Sequence, residues 1–454
     1  MFSPEVLIPL SSQFPQSSTF WIAYSGGVDS HVLLTAIAKL QHCFPNKKIK
    51  AIHINHGLSP NAEFWQDHCT AICNNLSIEL KKISIMVKAG KGESLEEAAR
   101  KARYKIFKEI LAENDCLLTA HHQDDQAETV LLQLLRGAGP KGLSAIPAVK
   151  SLGKGFLLRP LLNFTRSDLI AYAEQEKLHW VEDESNLMLN FDRNYIRQQI
   201  MPLIKARWPQ AGKTLQRAAK QCAFAVEIDD EVARQDLSNI QGKQKDNLKI
   251  TKLLQYSEAR RNNVIRYWLQ QLNLPLPNYI HLQKLMNNVL QSATDARPVL
   301  KWPGVEIRRY RDDLYAMPPL IQHDNKVILQ LNLPPLSENL FYQTESVAVQ
   351  LTGNLGTLLA TPSNSKALRI LPKQTMDIRF RQGGEKIRPY GRKETHDLKK
   401  LFQEWGVPSW LRDRVPLIYC DNQLAVVVGY CIEDSFTTLD DVGWVVDQIS
   451  PTYN

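Results

Sequence analysis

Residues 20–39 read F-W-I-A-Y, then S-G-G-V-D-S, then H-V-L-L-T-A-I-A-K, and this stretch decides the fold. The apolar run from Phe20 to Tyr24, rich in aromatic and branched side chains, predicts a buried strand. Two adjacent glycines, Gly26 and Gly27, then permit a tight turn with positive φ. Val32, Leu33, Ala36, Ile37 and Leu40 recur at helical spacing, so a helix should start near Asp29 or Ser30. A strand, a glycine turn and a helix start in immediate succession leave free backbone N–H groups around one point, which makes a cradle for an anion.

The loop does not end in G-K-[ST], so no lysine of its own reaches a terminal phosphate. Ser25 and Ser30 offer hydroxyls, while Asp29 places an acid inside a phosphate loop. An acid there repels phosphate unless it caps the helix or holds a metal ion. For a Gly-Gly turn alone, an ordinary strand–turn–helix with Asp29 or Ser30 as the N-cap would explain as much. The whole string Ser25-Gly26-Gly27-Val28-Asp29-Ser30, directly after an apolar run, is more specific. It resembles the PP-loop of the ATP pyrophosphatases, which cleave ATP to AMP and pyrophosphate and adenylate a substrate oxygen.

The chain has 454 residues, enough for two to four domains with a sizeable core in each. Its 44% hydrophobic and 22% charged content is that of a water-soluble globular protein. No run reaches the ~18 apolar residues of a membrane helix, and no basic segment followed by an apolar one marks a signal peptide. Seven scattered cysteines, with no C-x-x-C pair, fit reduced thiols in the cytoplasm and disfavour a structural zinc or iron–sulfur site. A formal net charge of +8 favours an acidic partner, nucleic acid being the commonest, though such an excess also serves solubility alone.

Strand and helix patterns alternate from residue 18 to about 209, which argues for a doubly wound, mostly parallel α/β sheet. Strands are expected at 49–54, 78–85, 116–120 and 156–162, and helices at 65–76, from a capping box at Ser94 to about 112, at 124–136 and at 165–177. Ligands on such sheets sit at the carboxyl ends of the strands. Besides the glycine loop, two strand ends are rich in chemistry. At A-H-H-Q-D-D-Q-A-E-T, residues 120–129, two histidines and three acids fall within eight residues. Asp124 and Asp125 can each share a helix face with Glu128. Acids in a first helical turn usually complement the helix dipole; three with two histidines, beside a phosphate loop, point instead to Mg²⁺–ATP or catalysis. At H-I-N-H-G-L, residues 53–58, hydrogen-bonded histidines in a turn explain the residue types as well as any function. Further on, W-V-E-D-E-S-N at 180–186 precedes R-N-Y-I-R at 193–197, inside a basic helical stretch. Arg193, Arg197 and Lys205 would bear on phosphates if that stretch lined the cleft, and otherwise form a solvated face.

After about residue 214 the alternation stops. Helices are expected near 218–237, 258–272 and 281–290, a hairpin at 305–317 turning at Asp312-Asp313, and a linker at 361–365. The expected division is 1–213, 214–360 and 361–454: a catalytic domain, a mainly helical middle domain and a small α+β C-terminal domain. Residues 366–414 hold thirteen basic side chains and six acids, whereas 415–454 hold six acids and no Lys or Arg. Phe380, Tyr390, Phe402, Trp405 and Trp410 are interleaved with those bases, as in a surface that pairs phosphates and stacks bases. Taken one at a time, each aromatic is better read as core.

The motifs S-G-G-V-D-S, H-I-N-H-G-L, E-E-A-A-R-K-A-R-Y, A-H-H-Q-D-D-Q-A-E-T-V-L-L-Q-L-L-R-G, R-P-L-L, W-V-E-D-E-S-N, R-N-Y-I-R and L-K-K-L-F-Q-E-W-G-V-P-S-W-L-R-D-R occur in that order. Together they resemble the bacterial tRNA(Ile)-lysidine synthetase family over nearly the whole chain. One departure is Ser59, where relatives often carry arginine. The resemblance implies a Rossmann-like PP-loop domain and an AMP-forming carbon–nitrogen ligase. ATP would adenylate C2–O of the wobble cytidine of tRNA(Ile) with a CAU anticodon, and free L-lysine would displace AMP. It implies ATP contacts for Ser25, Gly26, Gly27, Val28, Asp29, Ser30, His53, Asn55 and His56. Mg²⁺ would fall to Asp29 and Asp125, and chemistry to Asp29, Asp124, Asp125, Glu128, Arg193 and Arg197, with the split of roles among the acids open. No membrane partner is implied, and the oligomeric state stays open, a homodimer being one option. Two other PP-loop readings fit less well. A tRNA sulfurtransferase usually needs paired cysteines, and an amidotransferase-type synthetase needs an N-terminal cysteine or glutaminase domain. A non-catalytic RNA-binding protein would gain nothing from acids beside a phosphate loop.

Overall fold

The computed structural model describes residues 1–57, 59, 61–87, 95–182, 184, 188–242, 244–293, 296–334, 336, 344–371, 373–439 and 442–449. Ser94, the expected helix cap, lies outside the described residues, as do Leu58, Asp183, Ser185 and Asn186. Two compact units divide the chain, Met1–Glu231 and Val232–Asn454.

The first unit is built on six strands: β1 (Thr19–Ala23), β2 (Lys48–Asn55), β3 (Glu79–Ser84), β4 (Cys116–Leu118), β5 (Val149–Leu152) and β6 (Gly155–Leu158). Their order is β3-β2-β1-β4-β6-β5, with every pairing parallel except the hairpin β5–β6 at one edge. From Phe20 to Ala23 β1 is apolar because it is covered on both faces. Phe20 and Ile22 join one core with Val32, Leu33 and Ile37 of the helix Val28–Lys39, while Trp21 joins the other with Phe107, Leu117 and Leu157. Chain order runs outward from β1 to β2 and β3 on one side and to β4 and β6 on the other. The gap between β1 and β4 is therefore the topological switch point, where the carboxyl ends of strands open a crevice.

The expected doubly wound α/β architecture is present, with local differences. The helix after the glycine turn begins at Val28, one residue ahead of the nearer expected start, and its N-cap is Gly27, not Asp29 or Ser30. β5 is not expected from the sequence, because Val149 to Leu152 is a short, largely exposed edge strand with no apolar period.

In the second unit, the helices Glu258–Gln271 and Tyr279–Lys284 pack on a four-stranded antiparallel sheet around Trp268, Leu285 and Leu314. Two five-stranded sheets then face each other across a core that includes Leu358 and Trp444 from one and Ile378 and Ile418 from the other. The hairpin of strands Val305–Tyr310 and Asp313–Met317 turns at Arg311-Asp312, one residue earlier than expected, with Arg311 at φ 55° and Tyr310 opposite Asp313. The expected linker at 361–365 is instead largely strand: Thr357–Ser363 pairs along its length with Gly443–Ile449. The neighbouring strand Val347–Gln350 pairs only as far as Ala360, so Pro362 stands where one side of the strand has no partner to receive an N–H. Among the described residues no helix is long and apolar enough to cross a membrane, and all seven cysteines are free thiols.

Candidate active site

The glycine turn lies at the carboxyl end of β1. Gly26 has φ +90°, and a Cβ there would stand 2.7 Å from Val181 Cγ2, so the position accepts glycine alone for two separate reasons. Ser30 Oγ donates back to Gly27 O at 2.9 Å and accepts the Ser25 amide at 3.2 Å. The serine therefore ties the two ends of the turn together and leaves the helix uncapped. No side chain caps Gly27, and the amides of Gly27, Val28, Asp29 and Ser30 find no acceptor among the described residues. A twelve-residue helix thus presents its positive end and a row of free N–H groups at one point.

Across the switch point, β4 ends at Leu118 and the helix Gln123–Leu135 begins with His122 as its N-cap. Here the acids are not bare. Asp125 Oδ2 accepts the His122 amide at 2.9 Å. Asp125 Oδ1 receives Arg193 Nη2 at 2.9 Å and Arg197 Nη2 at 3.1 Å. Glu128 receives Arg193 Nε at 2.9 Å and Arg197 Nε at 2.7 Å. Asp124 accepts the Arg166 amide at 2.8 Å and Lys205 Nζ at 2.5 Å. The spacings explain the match. Asp125 and Glu128 lie one turn apart on one helix face, and Arg193 and Arg197 lie one turn apart on the facing segment. Ala127, fully buried between them, lets that segment approach closely. The turn carrying Arg197, Ile196–Ile200, is π-helical. Pro202 follows, and its ring crowds the carbonyl four residues back, which widens the turn.

His122 is buried among three carboxylates: its Nε2 is 3.5 Å from Asp125 Oδ2 and 3.6 Å from Asp29 Oδ2, and its Nδ1 is 3.8 Å from Asp124 Oδ2. Burial disfavours its charged form, but Asp29, Asp125 and Asp124 outweigh burial and raise its pKa. Burial likewise opposes ionisation of Asp125, and His122 and Arg193 overcome it, holding the carboxyl below the usual range. Asp124 is lowered against its burial by the Arg166 amide and Lys205. His121 goes the other way: burial pushes it down to about 3, so it is neutral at pH 7. The cluster therefore brings together all six expected catalytic residues, Asp29, Asp124, Asp125, Glu128, Arg193 and Arg197. It adds His122 and Lys205 as charge partners, which the sequence signalled only as members of a motif and of a basic stretch.

The residues of H-I-N-H-G are placed at the end of β2, next to β1. His53 Nδ1 lies 3.0 Å from Tyr24 O, locking the two strand ends together. Asn55 Oδ1 accepts the Gly57 amide at 2.8 Å and shapes the turn. His56 is pushed down to about 4 by burial and by Arg103, and its Nδ1 is buried without a hydrogen-bond partner among the described residues.

In the second unit, Phe380 and Phe402 are core residues, at 2% and 0% exposure, and are not available to stack on bases. Trp405 is stacked on Tyr430 with ring centroids 5.1 Å apart, and Trp410 packs edge-on against Tyr310 and Tyr315. Tyr390 is exposed, with Lys366 Nζ 4.7 Å from its ring.

An anion cradle without a lysine of its own, set at the switch point of a mostly parallel sheet, separates one class of nucleotide-using α/β domains from the Walker and dinucleotide-binding classes: the PP-loop domains, which use ATP. Residues 6–204 match the family described as PP-loop domain. Residues 248–315 match the TilS substrate binding domain, and residues 376–448 the TilS substrate C-terminal domain. The chain is 45% identical over 454 residues to a tRNA(Ile)-lysidine synthase of Coxiella burnetii (strain RSA 493 / Nine Mile phase I), covering 99% of this chain and 98% of that one. It is 38% identical to that of Legionella pneumophila (strain Lens), over 96% of each chain, and 38% identical to that of Pectobacterium atrosepticum, over 94% and 93%. The chain belongs to the tRNA(Ile)-lysidine synthase family.

Proposed function

We infer that the chain joins free lysine to C2 of the wobble cytidine of tRNA(Ile) bearing a CAU anticodon, through an adenylated cytidine, releasing AMP and pyrophosphate. The modified base then pairs with A rather than G, and the tRNA accepts isoleucine rather than methionine. The observation that carries this reading is the row of amides at Gly27 to Ser30, without acceptors among the described residues, facing a balanced cluster of acids and bases.

C2 of cytidine is a poor electrophile. Attack of its oxygen on the α-phosphorus of ATP breaks the bond to the β-phosphate and turns that oxygen into part of a leaving group. The amides of Gly27, Val28, Asp29 and Ser30, with the Ser25 hydroxyl, suit the departing pyrophosphate. Arg193 and Arg197 use Nε and Nη2 on the acids. That leaves each Nη1 without a partner among the described residues, available to phosphate oxygens. Asp125 and Glu128 then hold the two guanidiniums in one orientation, as oriented donors require. Lysine nitrogen next attacks C2, AMP departs with the former C2 oxygen, and the nitrogen must shed a proton. Asp124 suits the lysine ammonium, for it already accepts the alkyl-ammonium of Lys205 and is more accessible than Asp125 or Glu128. His53, Asn55 and His56 flank the cradle on the β2 side, where the rest of the nucleotide would lie.

Mg²⁺ fits Asp29, whose Oδ1 is buried and makes no hydrogen bond among the described residues. It fits Asp125 less directly, since two guanidiniums and an amide already engage that carboxylate. Mg²⁺ is commonly held by one or two carboxylates together with phosphates and water, so the small number of protein ligands agrees with it. When bound, it would offset charge building on the phosphates.

We assign tRNA binding to the basic part of the C-terminal region, around Lys399 and Lys400. A tRNA substrate and seven free thiols fit the cytoplasm. One experiment tests the whole reading: incubate the protein with labelled lysine, ATP and bulk tRNA. Label should enter RNA with release of AMP. ADP in place of AMP, or no label in RNA, refutes it.

A further inference from the structure

The stretch W-V-E-D-E-S-N at 180–186 has no part in the chemistry above, yet it touches the glycine turn. Val181 N donates to Gly26 O at 3.1 Å. The Gly26–Gly27 peptide is planar and trans, so its C=O and N–H point in opposite directions. Tying the carbonyl to Val181 therefore turns the Gly27 N–H away from Val181. We propose that Val181 is a positioning residue of the PP-loop, its amide locking this peptide so that the Gly27 N–H faces the phosphates. The proposal rests on the reading that the loop holds pyrophosphate.

A lock is needed because the peptide lies between two glycines, which allow it to rotate at little cost. Rotated by half a turn, it would offer a carbonyl oxygen to an anion. The next carbonyl is tied separately: Gly27 O accepts Ser30 Oγ at 2.9 Å and the His31 amide at 3.0 Å. Only the first carbonyl relies on a group from outside the turn and its helix. The side chain helps as well. Val181 Cγ2 and Cys69 Sγ lie 2.7 Å and 3.1 Å from where a Gly26 Cβ would be, so Gly26 is held between them. Asn61 Nδ2 donates to Glu184 Oε1 at 2.8 Å, which ties the same segment to the start of the helix Ala62–Asn75 that carries Cys69. Turn, segment and helix thus close a ring behind the cradle, on the side away from the ligand.

The test removes the N–H and keeps the side chain. An amide-to-ester replacement at position 181 in the full chain keeps the valine side chain, and Val181→Ala keeps the N–H while trimming the side chain. Inorganic pyrophosphate is the probe, by direct titration and as an inhibitor of AMP formation. The ester variant should bind pyrophosphate roughly tenfold more weakly and raise KM for ATP more than it lowers kcat. KM for lysine should not move, and Val181→Ala should lose less than the ester. Equal pyrophosphate affinity in the ester variant and the wild type overturns the lock, as does a Val181→Ala loss matching the ester's. If the wild type itself does not bind pyrophosphate, the PP-loop reading fails first and the lock with it.

Discussion

Arg197 grips Glu128 with two prongs, Nε on Oε1 at 2.7 Å and Nη2 on Oε2 at 2.9 Å, and the carboxylate it holds is 2% exposed. A buried charge without a partner is costly, whereas a bidentate pair in good geometry offsets most of its own desolvation. Four acids, Asp29, Asp124, Asp125 and Glu128, meet four basic groups, His122, Arg193, Arg197 and Lys205. The cleft is thereby close to neutral before a ligand enters, and the acids do not repel phosphate as bare carboxylates would.

Arg197→Ala should destabilise the chain by about 3 kcal/mol, since it leaves Glu128 buried with one partner instead of two. Arg197→Lys keeps the charge but not the fork and should lose less. Chemical denaturation of the full chain measures both. Equal stability of all three proteins would mean that solvent reaches Glu128.

Ser30→Ala removes the hydroxyl that ties the turn, and Asp125→Ala removes the anchor of both guanidiniums. Each should abolish AMP formation and leave tRNA affinity within about twofold, because tRNA contacts are spread over many phosphates. Quantifying AMP and bound tRNA on the same preparations checks this. Undiminished AMP release takes the residue out of the chemistry.

Stability should fall as the solution is acidified below neutrality. Burial pushes His31 down to about 4 and His121 to about 3, from an ordinary value of 6.5. Below pH 6.5 the unfolded chain takes up protons that the folded chain refuses, so stability drops by up to about 1.4 kcal/mol per pH unit for each histidine. The loss continues until the pH reaches the folded values. Asp125 acts lower: its contribution is present above its ordinary value of 3.8 and disappears as pH falls through the lowered folded one. His122, raised by its carboxylates, contributes below 6.5 and loses that contribution as pH rises through its folded value. Urea unfolding at pH 7 and pH 5 should show the acid loss, and His31→Asn should flatten part of it.

Lys399→Glu with Lys400→Glu should weaken tRNA binding, and the deficit should shrink as salt is raised. Both lysines are on the exposed side of the helix Leu398–Glu404, whose buried side is Leu398, Leu401 and Phe402. Filter binding at two salt concentrations measures the effect. Unaltered affinity moves the RNA contact elsewhere.

The sequence by itself settled what local chemistry can settle. Phe20 to Tyr24 is apolar at every position because β1 is covered on both faces, and Gly26-Gly27 can only be a turn. The helix pattern after it has one period, and Asp125 and Glu128 must share a face. Those facts gave the α/β unit, the anion cradle and the acid cluster, and the order of motifs along the chain gave the family. Tertiary structure decided who partners whom. That Arg193 and Arg197 clamp Asp125 and Glu128, 65 to 72 residues away, depends on packing over Ala127, which no local pattern encodes. That Val181 ties down Gly26, that Phe380 and Phe402 are core, and that Pro362 sits in a strand depend likewise on neighbours distant in sequence. Spacing fixes which face a side chain occupies; only the folded chain fixes what that face meets.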